Sequence, residues 1–263
     1  MREVFIKNLA RSYVEERFTK ASAAEKEKLV NDWLNKVENS RKLVIDFKRR
    51  IGDPRGSKVL DAGCGNGGLA IAFAEAGAEV YGVDIEKELV DIAKLHAQHY
   101  KVKPSFLVYD GDKLPFSNNT FFAAISASVL EHTKDPVAYL KEILRVLKPG
   151  GYLYLGLPNR LWPKETHTLV WGITYLPKKF ADLVLRALKR CPLSENNLHF
   201  YTYWQIKKFI SQAETQGEKF KIIDEPGASQ NILKRIIKIG LKKLGLSYKA
   251  FLPHIQLVLV KKS

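Results

Sequence analysis

The chain has 263 residues, 46% hydrophobic and 11% aromatic, enough to bury a core, which excludes a disordered polypeptide. Its two cysteines, Cys64 and Cys191, exclude a disulfide framework and point to a reducing compartment, and no apolar run approaches the roughly 18 residues needed to span a bilayer. The net charge is +15, and Lys178 to Ser263 holds 17 basic against 6 acidic residues, so this third implies either an anionic partner or a solvated basic face.

Residues 1–56 read as helical. Ser22-Ala-Ala-Glu25 is a capping-box pattern. Behind it Leu29, Val30, Trp33, Leu34 and Val37 recur at helical spacing, and Leu43, Val44 and Phe47 continue to a stop at Gly52. From residue 57 to residue 157 short apolar runs alternate with helical patterns. The runs are 58–62, 79–83, 105–109, 122–126 and 152–156; the helices are 69–76, 87–100 and 136–147. Asp135 caps the last helix, Pro136 suits its first position, and Lys148-Pro-Gly-Gly151 ends it. This alternation predicts βαβ units, hence an α/β, doubly wound sheet.

Residues 158–200 break the pattern with aromatics, prolines and basic residues and are expected to form a cap. Trp162, Trp171, Tyr175, Phe180 and Leu183 would give that cap an apolar pocket. Residues 201–263 return to the core, with a capping box at Thr202-Tyr-Trp-Gln205, a helix to about Ala213 and strands at 220–224 and 255–260. Between those strands, residues 231–246 alternate Ile and Leu with Lys and Arg as a basic amphipathic helix does. Such a helix suits an anionic membrane surface, or packs on the sheet with its basic side outward.

The chemistry concentrates where the first strand meets its helix. Gly63, Gly65 and Gly68 fit G-x-G-x-x-G between strand and helix, and acidic Asp84 ends the next strand. Glycines let the backbone pass close to a ligand. Asp84 suits the two hydroxyls of a ribose. Asp61, two residues before the first glycine, would repel a pyrophosphate and favours a cationic ligand without phosphates. S-adenosylmethionine, an adenosine with a sulfonium and an amino-acid tail, has that character.

In the same order, Val59-Leu-Asp-Ala-Gly-Cys-Gly-Asn-Gly67, Asp84, Asp110-Gly-Asp-Lys-Leu-Pro-Phe116, Ser128-Val-Leu-Glu-His132 and Leu147-Lys-Pro-Gly-Gly151 resemble the motifs of class I S-adenosylmethionine-dependent methyltransferases. The resemblance covers roughly residues 55–160. It is nearest to the subgroup holding ubiquinone and menaquinone methyltransferases and glycan or natural-product O-methyltransferases. It implies a Rossmann-like sheet of seven strands, mostly parallel, with the last strand antiparallel. It also implies that Asp61, Gly63, Cys64, Gly65 and Asn66 surround the methionine half of the donor. Asp84 would then bind the ribose, Ile85 the adenine face, and Asp110 with Gly111 the adenine edge. Where such proteins often read Phe-Asp at the fourth strand, this chain reads Phe121-Phe122, which bears on local packing.

A hydroxyl acceptor needs a base, and histidine is the natural one near neutral pH. Reacting groups lie beyond the carboxyl ends of the strands, so His167 is the first candidate and His132 the second. Trp162, His199 and Tyr201 would line the acceptor pocket. His96 and His99 are expected to face solvent on the helix after Asp84. Glu131 and His132 are too few ligands to argue for a metal. The function expected is O-methylation of a small-molecule, lipid-linked or glycan acceptor. The alternatives are an RNA methyltransferase using the basic C-terminal third and a non-catalytic cofactor-binding protein. A cytoplasmic protein, peripheral on the membrane through 231–246, is expected, because the N-terminal residues lack the apolar stretch of a secretory signal.

Overall fold

The computed structural model describes residues 2–17, 21–165, 168, 170–190, 192–195, 197–214, 217, 219–223, 241 and 247–262. Three helices lead in: α1 (Arg2–Arg17), α2 (Ala23–Leu34) and α3 (Lys36–Arg50). The capping box at Ser22 forms, with Glu25 accepting the Ser22 N–H at 2.9 Å. The helical spacing of α3 buries Val37, Val44 and Phe47. Phe47 meets Phe73 edge-on, 5.1 Å between ring centres, so the leading helices share a core with the sheet.

The alternating region forms β1 (Lys58–Ala62), α4 (Gly68–Glu75), β2 (Glu79–Asp84), α5 (Lys87–Tyr100), β3 (Ser105–Val108), β4 (Phe121–Ala127), α6 (Pro136–Val146) and β5 (Leu147–Pro158). The chain then runs through α7 (Lys178–Ala187), α8 (Tyr203–Ala213), β6 (Lys219–Ile222) and β7 (His254–Lys262). The seven strands lie in the order β3-β2-β1-β4-β5-β7-β6, and β7 is antiparallel to both β5 and β6. Successive strand residues point to opposite faces. Leu60 therefore enters the core shared with α6 and α8, and Val59 the core shared with α3, α4 and α5. The doubly wound, mostly parallel sheet is the architecture that the alternation predicts.

Two boundaries differ from expectation. β5 starts at Leu147, which pairs with Phe121; residues 148–151 then fold out before pairing resumes between Ala123 and Tyr152. A Cβ on Gly151 would lie 2.8 Å from the Lys148 carbonyl oxygen, so this fold-back needs glycine. The strand expected at 220–224 is β6, and its last expected residue, Asp224, lies outside the described residues, as do residues 231–246 apart from Leu241.

The cap has a small core of its own, made of Ile173, Ala181, Leu185, Leu193 and Leu198. Here the sequence expectation is corrected. Trp171, Tyr175, Phe180 and Leu183 stand exposed on the outside instead of facing inward. The reason is helical spacing: Ala181 and Leu185 are the inward side of α7, which turns Phe180 and Leu183 away. An Arg190–Glu25 ion pair ties the far end of the cap to the first turn of α2. Among the described residues no helix is long and apolar enough to cross a membrane.

Candidate active site

The strand order reverses direction at β1 and β4, and the carboxyl ends of these neighbours open the cleft. The turn after β1 forms one wall. Gly63, Gly65 and Gly67 have φ of +81°, +50° and +78°, values that a side chain disfavours. A Cβ on Gly63 would lie 2.3 Å from Val129 Cγ2, whereas open space surrounds the Gly65 position. The turn is held from both sides. The Gly63 and Cys64 N–H groups donate to the Val83 carbonyl at 2.8 and 2.9 Å. Asp84 Oδ2 accepts the Gly65 N–H at 2.8 Å, and Oδ1 accepts the Glu86 N–H at 3.1 Å. Asp84 thus organises the turn as well as ending β2.

Asp61 is 3% exposed, and its Oδ2 meets no hydrogen-bond donor among the described residues. Burial, reinforced by the nearby Asp84 charge and opposed by Lys36, pushes its carboxyl up to about 7. A buried acceptor without a donor is costly unless a ligand supplies one. Lys36, at the start of α3, leans over the start of α4: a Cβ on Gly68 would lie 2.6 Å from Lys36 Cγ.

Two of the expected contact residues have structural duties. The Asn66 side chain, one residue ahead of the N-cap Gly67, accepts the Gly68 N–H at 3.2 Å, the first N–H of α4. The Cys64 side chain packs in the core beside Gly82, and burial pushes its thiol up. Only its backbone faces the turn's business.

Across the cleft, Ile85 is 60% exposed although it is a large apolar residue. A Cβ on Gly111 would lie 3.2 Å from Ile85 Cγ2, so these two residues frame one slot. Asp110 Oδ1 accepts the N–H groups of Asp112 and Lys113 at 2.9 and 3.0 Å, and these bonds hold its carboxyl below the usual range. The loop that carries it is clamped from α6. Arg145 donates to the carbonyls of Phe116 and Leu114 at 2.7 and 2.9 Å, while Glu142, paired with Arg145 at 2.7 Å, accepts the Leu114 N–H at 2.9 Å.

Sequence reasoning missed this clamp, because nothing in the i, i+3 spacing of Glu142 and Arg145 reveals a loop partner. It also misplaced His96. That ring is buried, with Nδ1 at 2.8 Å from the Asn66 carbonyl oxygen, and it supports the glycine turn from below. A signal was available, since Val90, Ala93 and Ala97 mark the inward face of α5 that position 96 adjoins.

The opposite wall follows β4. Ser128 has a φ of +61°, and Leu130–His132 forms a single 3-10 turn. Inside it, Tyr139 donates to Ser126 Oγ at 2.9 Å. The segment leaving the cap lies on this turn. The His199 N–H donates to the Glu131 carbonyl at 2.9 Å, and the Asn197 side-chain amide donates to the His132 carbonyl at 2.8 Å. Tyr201 bridges Asn159, and its carbonyl accepts the Arg160 N–H at 3.0 Å. The fold therefore gathers His132, His199 and Tyr201 beyond β4 and β5, with Trp162 on the turn after β5, its N–H bonded to the Asn159 carbonyl at 3.0 Å. His167 lies outside the described residues.

The His199 tautomer follows from its neighbours. The Asn197 NH₂ is committed to the His132 carbonyl, so Asn197 presents Oδ1 to His199 Nε2 at 3.2 Å. Nε2 must then donate, which leaves Nδ1 as the acceptor. Burial, helped by Lys178, lowers the ring's affinity for a second proton. His199 stacks on Tyr201, 6.2 Å between ring centres.

Residues 60–155 match the family model described as a methyltransferase domain. A ubiquinone biosynthesis O-methyltransferase of Xanthomonas oryzae pv. oryzae is 36% identical over 135 residues, 51% of this chain and 56% of that protein. The namesake from Coxiella burnetii is 32% identical over 178 residues, 64% of this chain and 76% of that one. The chain thus spans little more than half the length of the first of these relatives. Among solved structures, an S-adenosylmethionine-dependent methyltransferase from Mesorhizobium loti superposes with a TM-score of 0.56 at 15% identity, covering 85% of this chain and 99% of that one. That last likeness speaks for the fold alone.

Proposed function

Because the chain belongs to the class I S-adenosylmethionine-dependent methyltransferases, we propose that it binds S-adenosylmethionine at the turn after β1 and methylates a hydroxyl of a small-molecule or lipid-linked acceptor. The observation that carries this reading is the buried Asp61 carboxylate, whose Oδ2 has no donor among the described residues, beside a glycine turn with open space at Gly65. A pyrophosphate would meet repulsion there; the ammonium of an amino-acid tail would supply the missing donor and the opposite charge.

The donor, when bound, supplies a methyl carbon on a positively charged sulfur. Asp61 would hold the ammonium of the amino-acid tail, with Gly63, Gly65 and the backbones of Cys64 and Asn66 close against it. Asp84 would offer its remaining lone pairs to the ribose. Ile85 and Gly111 would grip the adenine, with Asp110 at its edge. The cap would exclude water and orient the acceptor along the line of displacement. Of the described histidines, His199 best suits the base, because its Nδ1 is the free acceptor of a fixed tautomer; His132 is its neighbour on the same wall, and Trp162 and Tyr201 would line the pocket. A quinone-like phenol is the acceptor class that the two named relatives suggest. The basic composition after Lys178 supports contact with an anionic membrane; of residues 231–246, expected to make it, only Leu241 is among the described residues.

Calorimetry tests the first step. S-adenosylmethionine should bind to the wild type and lose affinity in Asp61→Asn, and a nicotinamide dinucleotide should not bind. Saturation by the dinucleotide alone would defeat the reading.

A further inference from the structure

Gly68, the third glycine of the motif, has a task unlike that of Gly63 and Gly65. It opens α4 with an ordinary helical backbone, so no left-handed conformation calls for glycine there. Space does. A Cβ at 68 would lie 2.6 Å from Lys36 Cγ, 2.9 Å from Lys36 Cβ and 3.2 Å from the Lys36 carbonyl carbon. The last of these is backbone, which cannot swing aside as the tip of a side chain can. A larger residue at 68 would push the start of α3 away. Gly68 is therefore the seat on which the leading helices deliver Lys36 to the turn after β1.

What Lys36 acts on there is Asp61. The buried carboxyl lies by the first turn of α4, where the Ala70 N–H favours its charged form, and Lys36 favours it from α3. Among the described residues, three other ionisable groups share this environment. Asp84, from β2, opposes the charge. The Cys64 thiol, in the turn, and the Tyr139 phenol, on α6, are both pushed up, chiefly by burial, and so stay neutral near pH 7. Lys36 is thus the cation, among the described residues, that supports an ionised Asp61. Because Lys36 is exposed, water screens part of its charge, which makes its effect a few-fold one, smaller than removal of the carboxylate itself.

We infer that Lys36 is a positioning residue for the donor: seated on Gly68 by α3, its positive charge holds the buried Asp61 carboxylate ready for the ammonium of the amino-acid tail. This rests on the proposed function and deepens it. A helix outside the matched residues 60–155 then sets the pH range in which the donor is held.

Calorimetry of the full chain with S-adenosylmethionine at two pH values tests it. K36Q keeps the stem over Gly68 and removes the charge. It should weaken donor binding about fivefold at about pH 7 and leave it within about twofold of the wild type at about pH 9, where Asp61 is ionised in both proteins. K36R should restore the wild-type profile. G68A should copy K36Q, because α3 must retreat; a wild-type profile in G68A would separate the charge from its seat and overturn the inference. A loss in K36Q of equal size at both pH values would mean that Lys36 touches the tail or only packs, and would overturn it too, as would no loss at either. Thermal melts without ligand read Asp61 independently. The stability that the wild type loses as pH rises through about 7 should go on being lost to higher pH in K36Q. Identical melts would overturn the inference whether or not the donor binds. A chain that ignores S-adenosylmethionine but shows this displacement would refute the proposed donor and leave the pairing of Lys36 with Asp61 standing.

Discussion

The two walls of the cleft are built by different means. The wall proposed for the donor is mostly backbone: a turn of glycines pinned to Val83 and Asp84, supported by His96 and faced by a loop that Arg145 clamps. The wall proposed for the acceptor is mostly side chains on irregular segments, with His199 and Tyr201 brought in by the chain leaving the cap. Backbone recognition suits a ligand that stays the same across a family. Side chains on loops are what a fold varies to change the acceptor. The contrast teaches that substitutions on the first wall should act on affinity for the donor and those on the second on turnover.

The largest expected effect lies on the acceptor wall. His199→Ala should lower kcat by about 10²–10⁴ and leave donor affinity unchanged, measured by steady-state kinetics and calorimetry. A loss of donor affinity instead would blur the two walls. Next, Asp61→Asn should weaken donor binding on the order of a hundredfold. The same change should stabilise the protein without ligand at pH 8, by an amount on the order of 2–4 kcal/mol. The sign follows from the raised carboxyl. The folded state keeps a proton that the unfolded chain releases above about pH 4. The associated stability is present below that pH and lost as pH rises through about 7. Thermal melts across pH 4–8 should show that slope in the wild type and not in Asp61→Asn. Donor affinity should run the other way, falling as pH drops below about 7, because the protonated carboxyl no longer attracts a cation.

Smaller effects sharpen the comparison. Arg145→Ala frees the loop of Asp110 and Gly111 and should weaken donor binding about tenfold through lost preorganisation, with kcat at saturation little changed. Asp84→Ala should cost stability as well as affinity, since it removes the acceptor for two backbone N–H groups. Thr202→Ala removes the cap of α8 and should cost about 1 kcal/mol in denaturant melts, with donor affinity unaffected.

The geometry of the first wall was legible because its residues follow one another along the chain. Strand, glycine turn and helix follow directly from Lys58 to Glu75, Asp84 ends the next strand, and Asp110 lies two residues past the one after it. The strand and helix alternation gave the sheet for the same reason. The acceptor wall is assembled over long separations, where one sequence offers no pairing signal. The bond from Asn197 to the His132 carbonyl spans 65 positions. Periodicity does not say which side of a short helix faces in, so Phe180 and Leu183 read as pocket when they are surface. His96 read as surface for the converse reason, a polar type on an inward position. The clamp from Glu142 and Arg145 depends on where a loop passes, which only the packed chain decides.

Gly63 and Gly65 look interchangeable on paper, yet they differ in what heredity can do with them. At 63 two obstacles coincide, a left-handed backbone and the methyl of Val129 in the path of any branch. Shrinking Val129 would lift one obstacle and leave the other, so no single compensating change opens that position. At 65 the protein itself raises only the backbone objection, which asparagine tolerates, and the remaining obstacle to a side chain is the ligand proposed to fill that space. Position 63 is therefore sealed by the fold itself, whereas position 65 is held to glycine only for as long as a lineage keeps the ligand.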